Sequence, residues 1–287
     1  MELLFCGVRG STPVSGAEFL RTGGNTSCVA LRARDALRPH LVLDAGTGLQ
    51  RLAREFAGEA FVGTILLTHL HWDHVQGLPF FAPADRADAR TTLWMPAQDE
   101  SRSGAGEDAR AVLARALSPP HFPISPDGLC GEWSFRALAE GEHTIESLSI
   151  VAREIPHKGG RTFGYRVSDG ITTIAYLPDH GPVAGVSPSG AAVELARGVD
   201  VLVHGGQFLA SEQEIATAYG HATVDDALQL AQIAQIRTLI LTHHSPARDD
   251  DAVDAIVADA SARAGAIRVL GARDGLRLEV GASRASA

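Results

Sequence analysis

The sequence predicts an α/β fold in which β-sheets are covered by helices. Three observations favour this fold class. Short apolar, β-branched runs recur along the chain, and Gly, Pro, Asp or His follows most of them. Segments with helical periodicity alternate with these runs. Strands interleaved with helices are typical of sheets packed against helical layers.

The strands are predicted from runs rich in Val, Ile, Leu and Thr, the residue types that favour a pleated, half-buried surface. Every run has the length of a strand and is far too short to span a bilayer. The nine predicted strands cover residues 41–43, 64–67, 92–95, 148–151, 163–167, 171–176, 199–203, 238–241 and 276–280.

The helices are predicted where apolar residues recur every three to four positions. They cover residues 49–57, 108–117, 191–197, 224–234 and 250–264. The chain shows no repeat and no low-complexity linker, so we predict a single domain over residues 1–287. Residues 98–107 form the most loop-like interior stretch, and residues 282–287 are predicted to be a flexible tail.

Composition narrows the classes of function. The net charge is −9 and the only lysine is Lys158, so a long nucleic acid is disfavoured as a substrate and a small molecule is favoured. The N-terminus lacks the pattern of a signal peptide, which predicts a cytoplasmic protein with no membrane association. Cys6, Cys28 and Cys130 share no ligand-like spacing and are expected to be buried free thiols.

The densest chemical motif is the stretch His69-Leu-His71-Trp-Asp73-His74, which directly follows an apolar run. It places three imidazoles and a carboxylate within six residues. Such nitrogen and oxygen donors suit Zn²⁺ and similar divalent ions. We therefore expect this stretch to bind metal.

Further potential ligands lie at the ends of predicted strands. Asp44, His69, His157, Asp179 and His243 each follow a different apolar run. Random burial would not place them so consistently, whereas one polar rim that collects ligands from several strands would. The sequence therefore predicts a metal site at the C-terminal ends of the strands.

These motifs resemble the metallo-β-lactamase superfamily, whose mark is the His-x-His-x-Asp-His block at residues 69–74. The chain is most similar to the phosphodiesterase branch that includes ribonuclease Z. The resemblance covers nearly the whole chain, through residues 9–13, 23–27, 43–48, 176–180 and 241–246. It implies an αββα sandwich of two mixed β-sheets with helices on both outer faces and the site at one edge.

Residue by residue, the resemblance implies a site for two divalent metal ions, with Zn²⁺ favoured and Mn²⁺ or Fe also suitable. A hydroxide that bridges the ions would attack the substrate, and Asp73 would orient it or accept its proton. Asp44 would orient a ligand imidazole. The implied ligands are His69, His71 and His157 for one ion, Asp73, His74 and His243 for the other, and Asp179 between them.

Three residues outside the ligand set are candidates for handling substrate. His221 lies in a segment similar to the Gly-His-Ser-Thr segment of the branch, and it would protonate a leaving group or bind a phosphate oxygen. The alternative is an exposed His221 beside a helix that is capped by Thr223. Lys158 and Arg161 flank His157 and would hold an anion, or else are solvated surface cations.

The roles of several other residues stay open. His180 follows the implied bridging residue and is placed near the ligands, and His204 ends a strand at the same rim. Relatives often carry Asp at the position of Gly205, which leaves no acid–base group there. Aromatic residues would wall a pocket, stack on a base or pack in the core; these are Trp72, Phe80, Phe81 and the segment 119–123.

The leading functional hypothesis is a dinuclear metal phosphodiesterase that cleaves small or cyclic phosphodiesters. One alternative is hydrolysis of esters, lactones or lactams in the same fold. Another is a tRNA 3′-processing endonuclease that lacks the long arm usual in ribonuclease Z, since only residues 158–178 separate His157 from Asp179. Redox and metal-sensing roles rank lower. Members of this branch are commonly dimeric, so a homodimer is also an open expectation.

Overall fold

The computed structural model describes residues 1–34, 36–98, 108–182 and 188–281. Most of the predicted loop at residues 98–107 and all of the predicted tail at residues 282–287 lie outside these ranges. Within them the chain forms fourteen β-strands, seven α-helices and several 3₁₀ turns.

The strands are interleaved with the helices along the chain. They are β1 Glu2–Gly7, β2 Cys28–Arg32, β3 Leu41–Leu43, β4 Val62–Leu66, β5 Arg90–Pro96, β6 Glu132–Leu138, β7 Gly141–Ile145, β8 Leu148–Glu154, β9 Phe163–Ser168, β10 Thr173–Leu177, β11 Val201–Gly205, β12 Thr238–Thr242, β13 Arg268–Gly271 and β14 Arg277–Glu279. The helices are α1 Gly48–Leu52, α2 Trp72–Val75, α3 Ala109–Ala114, α4 Gly190–Ala196, α5 Gln213–Tyr219, α6 Val224–Ile233 and α7 Asp250–Arg263.

The strands assemble into two mixed sheets of seven strands each. The first has the order β14-β1-β2-β3-β4-β5-β6 and the second β13-β12-β11-β10-β9-β8-β7. In the first sheet β3 to β6 run parallel, and in the second β10 to β13 do. The remaining pairs in each sheet are antiparallel.

Three apolar clusters define the layers. The central cluster fills the space between the two sheets and includes Phe5, Leu43, Tyr165 and Val203. A second cluster joins the first sheet to α1 and α3, and a third joins the second sheet to α4, α6 and α7. The expected αββα sandwich of two mixed β-sheets is confirmed.

All nine predicted strands are present, 41–43 with the predicted ends and the other eight with shifted ends, but five strands are not among the predictions. These are β1, β2, β6, β7 and β13. Strands β6 and β7 form sheet edges and carry charged, partly exposed residues, so their apolar signal is weak. The predicted helix 49–57 becomes the short α1 followed by the 3₁₀ turn Ala53–Phe56.

Two smaller expectations can also be compared with the structure. Cys6 and Cys28 are buried free thiols as expected, but Cys130 is exposed, so its predicted burial is wrong. Cys130 lies in a bend between the 3₁₀ turn Pro126–Gly128 and β6, where its side chain faces solvent. None of the helices in the described ranges has the length and apolar character needed to cross a membrane.

Candidate metal centre

The candidate site lies at one edge of the sandwich, where strands of both sheets end. Asp44 follows β3, and Asp179 and His243 follow β10 and β12 within two residues. His69 and His157 each lie three residues beyond their strands, β4 and β8. The structure therefore brings together at one edge the five donors that the sequence places after different strands.

The block at residues 69–74 changes from extended chain to helix, and this change directs its side chains. His71 has an extended backbone (φ −64°, ψ 151°) and forms the N-cap of α2. Successive side chains of a helix differ in direction by about 100°. Trp72 accordingly points outward and is 73% exposed, whereas Asp73 and His74 are buried.

One group of possible ligands consists of His69, His71 and His157. His157 Nδ1 donates to the carbonyl of Gly220 at 2.8 Å, and its Nε2 lies 3.2 Å from His71 Nδ1. Gly220 ends α5 in the left-handed conformation (φ 76°), which turns this carbonyl toward His157. His69 Nε2 is buried and has no hydrogen-bond partner. A buried unpaired ring nitrogen is the signature of a missing ligand.

The second group consists of Asp73, His74 and His243. His243 Nε2 lies 3.0 Å from Asp73 Oδ2 and 3.4 Å from His74 Nε2. The backbone N–H of Ser11 donates to the same Asp73 oxygen at 2.6 Å and holds the carboxylate in place.

Asp179 lies between the two groups. Its Oδ2 is 3.0 Å from His74 Nε2, and its Oδ1 is 3.3 Å from His243 Nε2. The same Oδ1 is 3.9 Å from His157 Nε2 in the first group. Asp179 is the residue whose two oxygens can reach both groups.

Asp44 supports the site from behind and matches its expected role. Its carboxylate accepts from His74 Nδ1 at 2.8 Å, from the Thr68 N–H at 2.7 Å and from the Tyr176 hydroxyl at 3.0 Å. Asp44 itself has a positive φ of 61°, a conformation that Asp tolerates better than most residues. Because Nδ1 of His74 is fixed by this bond, its Nε2 faces the possible ligands.

Burial and neighbouring charges shift the pKa values of the possible ligands. Burial lowers the pKa of His69, and the neighbouring His74 lowers it further. Burial also disfavours charge on His74, but Asp73, Asp44 and Asp179 outweigh it and raise its pKa well above the ordinary value. Burial raises the pKa of Asp73 and of Asp179, yet the nearby histidines prevail and leave both pKa values low.

Three carboxylates thus surround the buried imidazole of His74, and their negative charge favours a cation at this position. The donor set combines imidazole nitrogens and carboxylate oxygens, with no sulfur among the described groups that could hold an ion. This chemistry, together with the unpaired His69 Nε2, fits a divalent metal ion.

His221 lies at the same site and is nearly buried. Its Nδ1 is 3.6 Å from Asp179 Oδ1, and its ring centre is 4.8 Å from that of His157. Burial lowers its pKa to about 3, against the opposing effect of Asp179. Thr223 caps α6 in a capping box with Asp226, but the alternative of an exposed His221 is wrong.

The two predicted cations have different surroundings. Lys158 lines the cavity over the ligands; its Nζ donates to the Ala218 carbonyl at 2.9 Å and lies 5.9 Å from the Tyr219 ring centre. Arg161 instead pairs with Glu154 at 2.9 Å and donates to the Ala97 carbonyl. Arg161 does not line the cavity, so the structure does not bring it to the candidate site.

His180 and His204 lie behind the site rather than in it. The two rings are joined by a bond of 3.1 Å, and His180 Nε2 lies 3.2 Å from the Ser189 hydroxyl. His204 Nδ1 donates to the Gly205 carbonyl. Burial lowers the pKa of His180 to about 3, so this chain of bonds holds neutral rings.

Five of the possible ligands line a cavity of about 650 Å³: His71, Asp73, His157, Asp179 and His243. Six other residues on its wall have no role in the sequence analysis: Ser11, Leu70, Gly159, Gln207, Phe208 and Tyr219. Ser11 stands in one of the motif blocks, and Gln207 follows β11 by two residues, so the strand-end rule could have identified Gln207. Phe208 and Tyr219 give no comparable signal.

Comparisons with known proteins agree with this architecture. Residues 40–244 match the model of the beta-lactamase superfamily domain. A ribonuclease Z of Anoxybacillus flavithermus is 26% identical, and the alignment covers 91% of this chain and 92% of that protein.

Two solved structures share the fold. The metallo-beta-lactamase fold protein YhfI from Bacillus subtilis has a TM-score of 0.72 at 17% identity, with 97% of this chain and 99% of that chain covered. A diphosphatase from the PhnP family has a TM-score of 0.69 at 18% identity, with 97% of both chains covered.

Proposed function

The chain belongs to the beta-lactamase superfamily as a metal-dependent hydrolase, and from this premise we propose that it cleaves small or cyclic phosphodiesters. The observation that carries the proposal is the convergence of seven His and Asp side chains, five of which line one cavity while the buried His69 and His74 lie beneath it. The ribonuclease Z relative supports a phosphodiester as the substrate, and the PhnP-family diphosphatase supports reaction at a phosphoryl group.

The two groups of donors are proposed to hold two divalent ions. Zn²⁺ suits the nitrogen and oxygen donors best, and Mn²⁺ or Fe would also fit. Bound ions of this kind lower the pKa of water and offset the negative charge that builds on phosphoryl oxygens. The assigned ligands are His69, His71 and His157 for the first ion, Asp73, His74 and His243 for the second, and Asp179 for both.

Asp73 is proposed to act on the attacking water. Its low pKa keeps it ionised, and the Ser11 N–H holds one of its oxygens. A carboxylate with a low pKa is a weak base, so we assign Asp73 to orienting the water by accepting a hydrogen bond. This narrows the expectation that Asp73 either orients the nucleophile or takes its proton.

His221 is proposed to bind a phosphoryl oxygen. Since burial lowers its pKa to about 3, the ring is neutral near pH 7 and is a poor source of a proton for a leaving group. A neutral imidazole still donates one N–H bond. We therefore keep the substrate-binding role of His221 and set aside the role of general acid. Lys158 on the cavity wall would attract the anionic substrate.

A second candidate function is the processing of tRNA 3′ ends. The ribonuclease Z relative favours it, because the alignment covers nine-tenths of both chains. Against it, residues 158–178 contain only the β9–β10 hairpin between His157 and Asp179, and the chain is acidic with a single lysine. The third candidate is hydrolysis of esters, lactones or lactams.

The test is the rate of bis(p-nitrophenyl) phosphate hydrolysis by protein loaded with Zn²⁺ or Mn²⁺. We expect Asp179→Ala to reduce the rate by more than about a hundredfold and to lower the bound metal, because even groups behind the ligands affect metal sites by 10- to 100-fold. The control is Asp200→Ala. Asp200 precedes β11, is not one of the assigned ligands, and accepts a hydrogen bond from the Thr173 N–H.

The outcomes separate the candidates. Cleavage of a precursor tRNA with no activity on small or cyclic diesters would favour the second candidate. No phosphodiester turnover by protein that holds metal would reject the proposal and favour the third candidate. Unchanged rate and metal content in Asp179→Ala would reject the assigned site.

A further inference from the structure

A second concave surface adjoins the cavity of about 650 Å³ that is lined by possible ligands, which we call the metal-facing cavity. The second surface encloses about 350 Å³, and among the described residues its lining contains no Asp, Glu, Lys or Arg and one histidine, His121. We call it the apolar cleft; its main walls are Trp72, Phe80, Leu113, Leu117 and Phe122. Trp72 lines both the cleft and the metal-facing cavity, so the two spaces meet at this side chain.

Two of the wall residues are large apolar side chains that face solvent. Trp72 is 73% exposed and Phe80 is 54% exposed. Phe80 packs edge-to-face on Phe122, with ring centres 5.9 Å apart. Phe81, by contrast, is buried and packs against Phe56 and Phe61. Of the three roles that the sequence leaves open for it, packing in the core is confirmed.

The apolar cleft and the metal-facing cavity have complementary chemistry. The cavity presents the ammonium group of Lys158 and the proposed ligands Asp73 and Asp179, whose divalent ions would attract an anionic group. The cleft presents aromatic faces, leucines and a few neutral polar groups, including Gln50 and Thr47. A ligand that fills both spaces must combine an anionic centre with an uncharged apolar part.

We infer that the apolar cleft binds a planar ring, aryl or nucleobase, carried by an ester group of the phosphodiester whose phosphoryl group lies over the metal ligands. The inference rests on the proposed function and narrows its substrate class. Aromatic side chains stack on flat rings whatever their substituents, and one stacked ring raises the affinity by about tenfold or more. Continuity through Trp72 favours substrate over a separate partner.

The test uses diesters that share one leaving group. Methyl, phenyl and thymidin-5′-yl esters of p-nitrophenyl phosphate all release p-nitrophenolate, so only the retained group differs. We expect kcat/KM for the phenyl ester to exceed that for the methyl ester by about tenfold or more. A kcat/KM for the thymidinyl ester above that for the phenyl ester would identify the ring as a nucleobase. A value no higher than that for the phenyl ester would identify it as an aryl group.

Variants connect this preference to the cleft. Phe80→Ala should reduce the phenyl-to-methyl ratio to about twofold or less, and Phe80→Leu should give an intermediate ratio. Phe80 is half exposed, which favours normal folding of both variants. The matched control is Ile171→Ala, an exposed apolar residue in the β9–β10 turn outside the cleft and the cavity, which should keep the ratio of the native protein.

A binding measurement separates this inference from the proposed function. Phenylphosphonate and methylphosphonate are titrated into metal-loaded protein by calorimetry, with the same variants. A tenfold preference for phenylphosphonate that Phe80→Ala removes would support the cleft even if no diester were hydrolysed. Equal affinities, or a preference that survives in Phe80→Ala, would overturn it. Sedimentation that shows Phe80→Ala dissociating a dimer, with ring preference intact, would also overturn it and assign the cleft to a subunit contact.

Discussion

Two groups of histidines lie at the same edge of the sandwich and differ in how their ring nitrogens are satisfied. His180 and His204 bond to each other, and their other nitrogens bond to Ser189 and Gly205. His69, which lies beside His71 and His157, has a buried Nε2 without a partner. His74 and His157 each use Nδ1 to bond to the protein and direct Nε2 toward other possible ligands.

The difference shows that position alone does not identify a ligand. His69, His157 and His180 lie within three residues of a strand end, His74 lies in α2, and His204 lies near the end of β11, so all of them are at the same rim. A ring with both nitrogens bonded to protein is a structural group, whereas a ring fixed at one nitrogen and open at the other is prepared for metal. The following predictions test this distinction, from the largest expected effect to the smallest.

Asp44→Asn should have the largest effect. The substitution keeps the side-chain shape and tolerates the positive φ, but it weakens the acceptor that fixes His74 Nδ1. We expect metal affinity to fall by about 10- to 100-fold, as for other groups that orient ligand imidazoles. Competition with a chromophoric chelator measures this affinity. Native affinity in Asp44→Asn would show that the bond to His74 does not prepare the ligand.

His180→Asn should change stability and its pH dependence. Burial lowers the pKa of His180 to about 3, whereas histidine in an unfolded chain titrates near 6.5. Between these pH values only the unfolded chain binds the proton, so this group makes the free energy of unfolding fall as the pH falls. Without it, the slope below pH 6.5 should decrease by up to about 1.4 kcal/mol per pH unit.

Urea unfolding at pH 7, 6 and 5 measures this slope. Ser189→Ala is the matched control, because it removes a partner of His180 but no titrating group. It should lower the free energy of unfolding and keep the native slope. Equal slopes in the native protein and His180→Asn would reject a neutral, fully bonded His180. Loss of bound metal in His180→Asn would place this residue with the ligands and break the distinction between the two groups.

Lys158→Gln and Arg161→Gln should show the smallest effects. They test whether a cation on the cavity wall and a cation bonded elsewhere to the protein also differ in function. Lys158 lines the cavity, whereas Arg161 is bonded to Glu154 away from it. We expect Lys158→Gln to raise KM for an anionic diester by about two- to fivefold with kcat unchanged, since exposed charges contribute weakly. Arg161→Gln should change KM by less than about twofold. Steady-state rates at low ionic strength measure both, and equal KM changes would contradict the assignment.

Much of the fold follows from local pattern. The strands β3, β4, β10 and β12 are short, apolar and sharply ended, so their residues predict both the strand and the donor that follows it. The edge strands β6 and β7 escape prediction because only two of their twelve residues are buried and four are exposed, three of them charged. Their positions depend on pairing with distant strands, which a local window does not contain.

The candidate site divides in the same way. The dense block at residues 69–74 and the donors Asp44, Asp179 and His243 are evident from spacing and strand ends. Ser11 and Gln207 reach the cavity through long-range contacts, and a bond between them joins residues 196 positions apart. The separation of Arg161 from the cavity likewise depends on Glu154, to which its guanidinium turns.

By itself, the sequence determines the fold class, the metal-binding chemistry and most of the donors, because hydrophobic periodicity and donor type are local properties of the chain. The tertiary structure decides which histidine nitrogens remain open, that His221 is buried and neutral, and that Trp72 joins the metal-facing cavity to the apolar cleft. These features depend on the packing of segments far apart in sequence, since burial and hydrogen-bond partners exist only once both sheets have come together.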